Sequence, residues 1–519
     1  MQENRTLMTR SIHFVARMGN KLPHPFMLFS MLAGLVLVLS AVLSALDVSA
    51  TYVAAVRGSG HPPVEATVYA RNLLSTESLR GFLENLVKIY IQFPPLGIAM
   101  VMILGVGLIE QTGLMSALMR KTILKAPPYM ATVLLAFVGV NANLASGAGV
   151  IFTPILGGAV FKAVGRNPWM GVVVGYAAAS GGYAANLMVA GTDALLAGIT
   201  ASAIQGTAVR APVHPLMNWY FMIVATFLVS GVIAAVAERY LGRILDEGEG
   251  AVDRSVLAEH LVTPEESRGL RFAGVAALVW VGLLIAALAP ANGVLRSASG
   301  TIVPESPLTR GLVGILFLIF FSIGIAYGIG SGKITSQRDV PRMMEGGLRG
   351  TLAFLTVALP AALFIHFFDE SRLSLILAAK GAAILKDLDL GGVPLLVLFV
   401  LLVSAMNLFL PSGSVKWLVL SPIFIPMFAS VDLSPAMTQL TFRVGDSVTN
   451  NISPFKSYLP VIIGLLEQYR SREDREVGIG TVIALQLPFS IALAVSLTLL
   501  LVVWYLLGLP LGPGVGVHL

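Results

Sequence analysis

Apolar residues in this chain run in long blocks, with neither the alternation of a half-buried strand nor the single stripe of a surface helix. Nine blocks are long enough to cross a bilayer: 26–46, 94–112, 168–190, 216–238, 272–290, 311–330, 350–368, 436–467 and 480–507. About 20 apolar residues span the hydrocarbon core at 1.5 Å per residue. The first block is longer than the ~7–15 residues of a signal-peptide core and reads as a spanning helix. The pattern therefore predicts an all-α polytopic membrane protein.

Two further apolar stretches, 129–160 and 394–430, are too long for one crossing and are broken midway by small polar residues. The breaks are Asn141-Ala-Asn143-Leu-Ala-Ser146-Gly147 and Asn407-Leu-Phe-Leu-Pro411-Ser412-Gly413-Ser414. A helix broken inside the membrane must have its freed backbone groups satisfied by protein or water. Both stretches are read as re-entrant helical hairpins. Positive loop residues orient the chain. With the N-terminus cytoplasmic, Arg5, Arg10, Arg17 and Lys21, then Arg120, Lys121 and Lys125, then Lys333, Arg338, Arg342 and Arg349, and finally Arg470, Arg472 and Arg475 all fall inside. This works if each hairpin returns to its own side, which makes the hairpins opposed.

The halves, 1–240 and 271–519, flank a charged cytoplasmic segment at 241–270 and look like an inverted repeat. Asn141 stands to Ser146-Gly147 as Asn407 stands to Ser412-Gly413. Some forty residues beyond each tip comes a second small, polar interruption, holding Asn186 (near 180–193) and Asn450 (near 443–454). Leu73–Ile91 and Ser371–Lys386 look amphipathic and suit the membrane interface.

Composition narrows the function. Charged residues make up 12% of the chain against ~25% in soluble proteins, the apolar fraction is 56%, and the mean hydropathy is +0.83. A soluble enzyme and a nucleic-acid binder are excluded, since the net +6 lies in short loops rather than on one face. There is no cysteine, and the seven scattered His residues form no HxxxH pair. No cofactor or transition metal is expected, and the protein is not expected to be an enzyme. Gly328-Ile-Gly330-Ser-Gly332-Lys333 misses the phosphate-loop spacing, so ATP is not the energy source.

Ionisable residues within the bilayer are costly and mark function by default. Arg443 and Asp446, three apart, are expected on one helix face, where they can neutralise one another. Asp446 then loads a proton or cation, and Arg443 holds an anionic group through its planar fork. Asp193 is the first half's candidate acid, or else a helix cap. Trp417, just past a polar tip, is expected to stack on an aromatic substrate. Lys416 is expected to snorkel. The amide and hydroxyl oxygens of Asn141, Ser146, Asn186, Asn407, Ser412 and Asn450 suit Na⁺, although the same residues would cap broken helices without any ion.

The run Asn407…Pro411-Ser-Gly-Ser-Val-Lys-Trp417, followed by Phe442-Arg443-Val-Gly-Asp446-Ser-Val-Thr-Asn-Asn451-Ile-Ser-Pro454, resembles the AbgT family of p-aminobenzoyl-glutamate transporters. Gly191-Thr192-Asp193 and the Asn141–Gly149 tip fit as well. The resemblance implies nine spanning helices with two opposed hairpins, arranged in a homodimer in the bacterial inner membrane. It implies cation-coupled (Na⁺ or H⁺) uptake of p-aminobenzoyl-glutamate or export of sulfonamide antimetabolites, both anionic aromatic molecules. It also places Asp193, Asn407, Ser414, Trp417, Arg443, Asp446 and Pro454 along the transport path, with Na⁺ near the tips. The alternatives are an importer of dicarboxylate-like anions and an ion channel.

Overall fold

The computed structural model describes residues 23–54, 64–124, 128–142, 146–205, 207, 209–245, 261–303, 306–349, 352–388, 391–470 and 477–519. Arg5, Arg10, Arg17, Lys21, Lys125, Asn143, Arg472 and Arg475 lie outside the described residues, as does half of the 241–270 segment, 246–260. So does the side chain of Ser146, although its backbone begins a helix.

Among the described residues the chain is mostly helical. Helix α1 (Pro25–Ala45) is followed by a two-stranded antiparallel ribbon, β1 (Ser49–Ala54) and β2 (Val64–Tyr69), paired from Ser49↔Tyr69 to Ala54↔Val64. Next come the amphipathic α2 (Thr76–Ile91), α3 (Pro94–Thr112) and α4 (Leu114–Leu124). Among the described residues, six helices are each long and apolar enough to cross a membrane, or seven if Asp339–Arg349 and Phe354–Glu370, which meet at a 56° bend, form one span. The blocks expected at 168–190 and 436–467 are absent from that set because their helices break off after Gly181 and Val448.

Both apolar stretches with polar interruptions are helical pairs. The first is α5 (Ala131–Val140) with α6 (Ser146–Ala163). It is followed by the broken helix α7 (Pro168–Gly181) and α8 (Gly191–Ile204), then by α9 (Trp219–Val236). The second half contributes α10 (Pro264–Leu288), α11 (Leu312–Gly330), α12 (Asp339–Arg349), α13 (Leu352–Glu370) and α14 (Leu373–Asp387). Its hairpin is α15 (Gly392–Asn407) and α16 (Gly413–Ala429), its broken helix α17 (Pro435–Val448) and α18 (Leu459–Gln468), and its last span α19 (Ile479–Leu506).

Local chemistry sets the helix starts. Pro168 and Pro435 open α7 and α17 behind the caps Asn167 and Ser434, where a missing N–H costs nothing. A reciprocal box opens α10, with Glu266 N donating to Thr263 Oγ1 at 3.2 Å and Thr263 N to Glu266 Oε2 at 3.1 Å. Helix α6 lies against α7 where Gly157 meets Gly171; a Cβ on Gly157 would sit 2.2 Å from the Gly171 carbonyl oxygen. Small residues permit this approach, which is how helices associate in lipid. The first hairpin packs on α7, while α16 of the second packs on α8, α14 and α17. Helices α3, α10 and α11 form a separate group at the periphery, joined to the core where α3 meets α8.

Candidate functional site

The site grows from the backbone groups that the breaks set free. Between the end of α15 and the start of α16, the carbonyls of Leu410 and Pro411 have no helical partner. Each is taken by a lysine: Lys416 Nζ lies 2.5 Å from Leu410 O, and Lys456 Nζ lies 2.7 Å from Pro411 O. Ser412 caps α16, accepting from Val415 N at 3.4 Å. Asn407 is completely buried and works in both directions. Its Nδ2 donates to Asp446 O at 2.7 Å and to Asn450 Oδ1 at 3.0 Å, and its Oδ1 accepts from Lys416 at 2.5 Å. The tip and the later interruption thus touch, as the repeat spacing suggests. In the first half, Asn141 Oδ1 accepts from Leu187 N at 3.0 Å, next to Asn186.

The break between α7 and α8 is closed from the other half of the chain. Ser447 on α17 donates to Gly181 O at 2.5 Å and accepts from Ala184 N at 3.1 Å. Arg443 donates to Tyr183 O at 2.9 Å and to the Asp193 carboxylate. Asp193 also caps its own helix, accepting from Ala190 N at 2.6 Å. The same carboxylate thus caps its own helix and pairs with Arg443.

Three sequence expectations require correction. Arg443 does not pair with Asp446; it pairs with Asp193, and Asp446 pairs with Lys416 at 2.5 Å. All four side chains are at most 2% exposed, so each charge needs its own close partner from another element. Lys416 does not snorkel, because it is fully buried and held by three oxygens. Trp417 does not face open space. It is fully buried, 4.6 Å from the Phe442 ring, and its indole N–H donates to Thr200 at 2.9 Å.

A cavity of about 480 Å³ opens where the second tip meets both breaks. Asp446, Asn450, Ser412 and Ser414 supply its polar wall beside Lys456; Tyr183, Phe455 and Tyr458 supply aromatic surface. Pro454 precedes Phe455 in the break between α17 and α18 and is half-buried. Asn186 is 2% exposed, and its Oδ1 has no partner among the described residues. A larger groove of about 720 Å³ lies among α1, α2 and α13, beside the Arg71–Glu370 pair, away from every helix break. Sequence reasoning misplaced Lys416 and missed Lys456 and Tyr183. Lys416 stands within a quoted motif and Lys456 two residues past the other, and their charge within apolar surroundings is the available signal.

Comparison with known proteins fits this geometry. The model of the AbgT putative transporter family matches residues 10–519. The p-aminobenzoyl-glutamate transport protein of Escherichia coli (strain K12) is 34% identical over 502 residues, covering 97% of this chain and 96% of that protein. The crystal structure of the Alcanivorax borkumensis YdaH transporter aligns with a TM-score of 0.86 at 36% identity, covering 95% of this chain and all of that one. Neisseria gonorrhoeae MtrF, described as illuminating a class of antimetabolite efflux pumps, aligns at 0.89 and 33% identity, covering 97% and 99%. With its apolar spans, paired hairpins and two broken helices, the chain is a multi-pass membrane transporter rather than an enzyme, and it belongs to the AbgT family.

Proposed function

We propose that this protein is a cation-coupled secondary transporter of small anionic aromatic molecules of the p-aminobenzoyl-glutamate and sulfonamide antimetabolite kind, working by alternating access. The observation that carries the reading is the cavity of about 480 Å³ bounded by the second tip and both breaks. Its size lies within the ~300–1,000 Å³ of small-molecule sites. Its aromatic wall of Tyr183, Phe455 and Tyr458 suits an aryl ring, and Lys456 suits an anionic group. Ser412, Ser414 and Asn450 offer the neutral polar contacts that fix orientation, and Pro454 holds the break that positions Phe455. Trp417 and Arg443 act from behind the wall by fixing α16 and α17. The relatives' names, a p-aminobenzoyl-glutamate transport protein and an antimetabolite efflux pump, support the substrate class.

The hairpin-bearing core moves against the group of α3, α10 and α11, two copies associate as a dimer, and the N-terminus lies on the cytoplasmic side of the bacterial inner membrane. Asp446 lines the cavity with its charge held by Lys416. Asn141, Asn186 and the Ser146 position are the first-half candidates for Na⁺, with Asn186 Oδ1 as the free buried oxygen. The test is transport in proteoliposomes of p-aminobenzoyl-glutamate and of a sulfonamide, each under Na⁺ and pH gradients in both directions. Gradient-driven accumulation of either compound is expected. Single-channel currents, or no movement of either compound, would overturn the reading.

A further inference from the structure

The Lys416 ammonium occupies an unusual place. It lies in the first turn of α16, where the positive end of the helix dipole opposes a cation, and it is completely removed from solvent. Burial and dipole both act against it, so its surroundings must repay both. They consist of three oxygens of different origin: the Asp446 carboxylate, the Asn407 side-chain amide and the Leu410 backbone carbonyl freed by the helix break, each 2.5 Å from Nζ. One carboxylate, one amide and one unwound-helix carbonyl form the donor set with which broken membrane helices hold an alkali cation.

The first half offers a comparison within the same chain. Lys416 stands nine residues after Asn407, and nine after Asn141 stands Val150. Asp446 stands four before Asn450, and four before Asn186 stands Gly182. The cation and its carboxylate are thus both present at one tip and both absent at the other. They behave as a matched pair added to a common framework of amides. Lys456, the other cation at this tip, bonds the neighbouring Pro411 carbonyl and leaves the cage to Lys416.

We infer that Lys416 is a tethered cation that fills, from within the chain, the oxygen cage at the second hairpin tip where a free alkali ion would otherwise sit. The cage then needs no dissolved cation to neutralise Asp446 and close the tip, and any free coupling ion is bound elsewhere. The role in transport rests on the alternating-access reading; the identity of the cage occupant does not.

The experiment removes the tether and supplies the ion. Lys416→Ala is purified at full length and its thermal unfolding is followed in choline chloride, NaCl and methylammonium chloride at equal ionic strength, beside the wild type and the neutral pair Lys416→Met/Asp446→Asn. Na⁺ or methylammonium is expected to raise the melting temperature of Lys416→Ala by several degrees more than that of the wild type. The neutral pair should respond no more than the wild type. A Lys416→Ala protein with no greater cation response than the wild type, or one that fails to fold in every salt, would overturn the inference. In proteoliposomes, Lys416→Ala should regain transport only with added Na⁺ or methylammonium. Absence of transport by the wild type itself would count against the functional reading and leave the unfolding experiment to decide the cage.

Discussion

Arg443 and Asp193, 250 residues apart, meet as a buried ion pair that joins the two broken helices. Arg443 also bonds the Tyr183 carbonyl, so one guanidinium satisfies both a charge and a freed backbone group of the other half. Removing one partner of such a pair leaves an uncompensated buried charge, at a cost of about 3–5 kcal/mol. Asp193→Asn and Arg443→Gln are each expected to lower the unfolding temperature clearly. The double variant should lose much less than the sum, because no lone charge remains. A double-mutant cycle in detergent measures this; additive losses would show that the two side chains do not act as a pair.

Trp417 tests whether an aromatic residue beside a polar tip is a substrate platform or a strut. Its N–H begins a buried chain: Thr200 donates to Gln439 Oε1 at 2.6 Å, Gln439 to Asn218 Oδ1 at 2.9 Å, and Asn218 to Ala436 O at 2.8 Å. That chain ties α16 and α8 to α17 and to the start of α9. Leaving a buried polar group unpaired costs about 1–3 kcal/mol. Trp417→Phe should therefore destabilise the protein by that order, with little change in the substrate concentration giving half-maximal transport. A variant of unchanged stability but weakened substrate binding would restore the platform reading.

Much of this architecture was legible in the sequence, and the failures share a cause. Both hairpins announced themselves, because a cluster such as Asn407–Ser414 cannot continue an apolar helix in lipid. The spacing of Asn141 to Asn186 and Asn407 to Asn450 brought the right segments together. Partner choice was not legible. A three-residue interval suggested Arg443 with Asp446, yet both found partners on other elements, and only the tertiary fold decides which buried acid meets which base. The sequence gives the distance of Lys416 from a polar tip but not its depth, and so suggests snorkelling where the fold buries it. The β1–β2 ribbon went unread, since its strands are too far apart in sequence for a tight hairpin turn.

Gly413 begins α16 close against the charged cluster. A Cβ there would lie 3.0 Å from Asp446 Oδ2 and 3.1 Å from Tyr183 Oη. Both neighbours must give by a few tenths of an ångström, and Asp446 is already held by Lys416. Gly413→Ala is expected to reduce transport several-fold with the fold retained, and Gly413→Val to reduce it further. Gly231→Ala is the control, because nothing lies within 4 Å of that site and alanine favours the helix by about 0.5–1 kcal/mol. Wild-type uptake by Gly413→Val would show that the tip has room to spare.

His214 gives the fold a dependence on pH outside the membrane spans. It sits in the segment before α9, 6% exposed, with Nε2 3.0 Å from the carbonyl oxygen of Pro513 in the C-terminal tail. The same clasp includes Tyr220 N donating to Leu511 O at 3.0 Å. If Nε2 carries the hydrogen that reaches Pro513, Nδ1 is left as a bare lone pair, and it has no partner among the described residues. Protonation would add a buried N–H with no acceptor. Burial accordingly pushes the His214 pKa below its ordinary value, and the Pro513 bond opposes this only in part. The unfolded chain therefore binds a proton more readily than the folded one, and stability rises with pH. The contribution is fully present above the unfolded pKa of about 6.5 and is lost as pH falls from there through the lower folded value. Unfolding temperatures at pH 8 and pH 5 should differ more for the wild type than for His214→Gln, which cannot titrate. Equal pH dependence in the two proteins would show that the tail clasp is indifferent to the charge on His214.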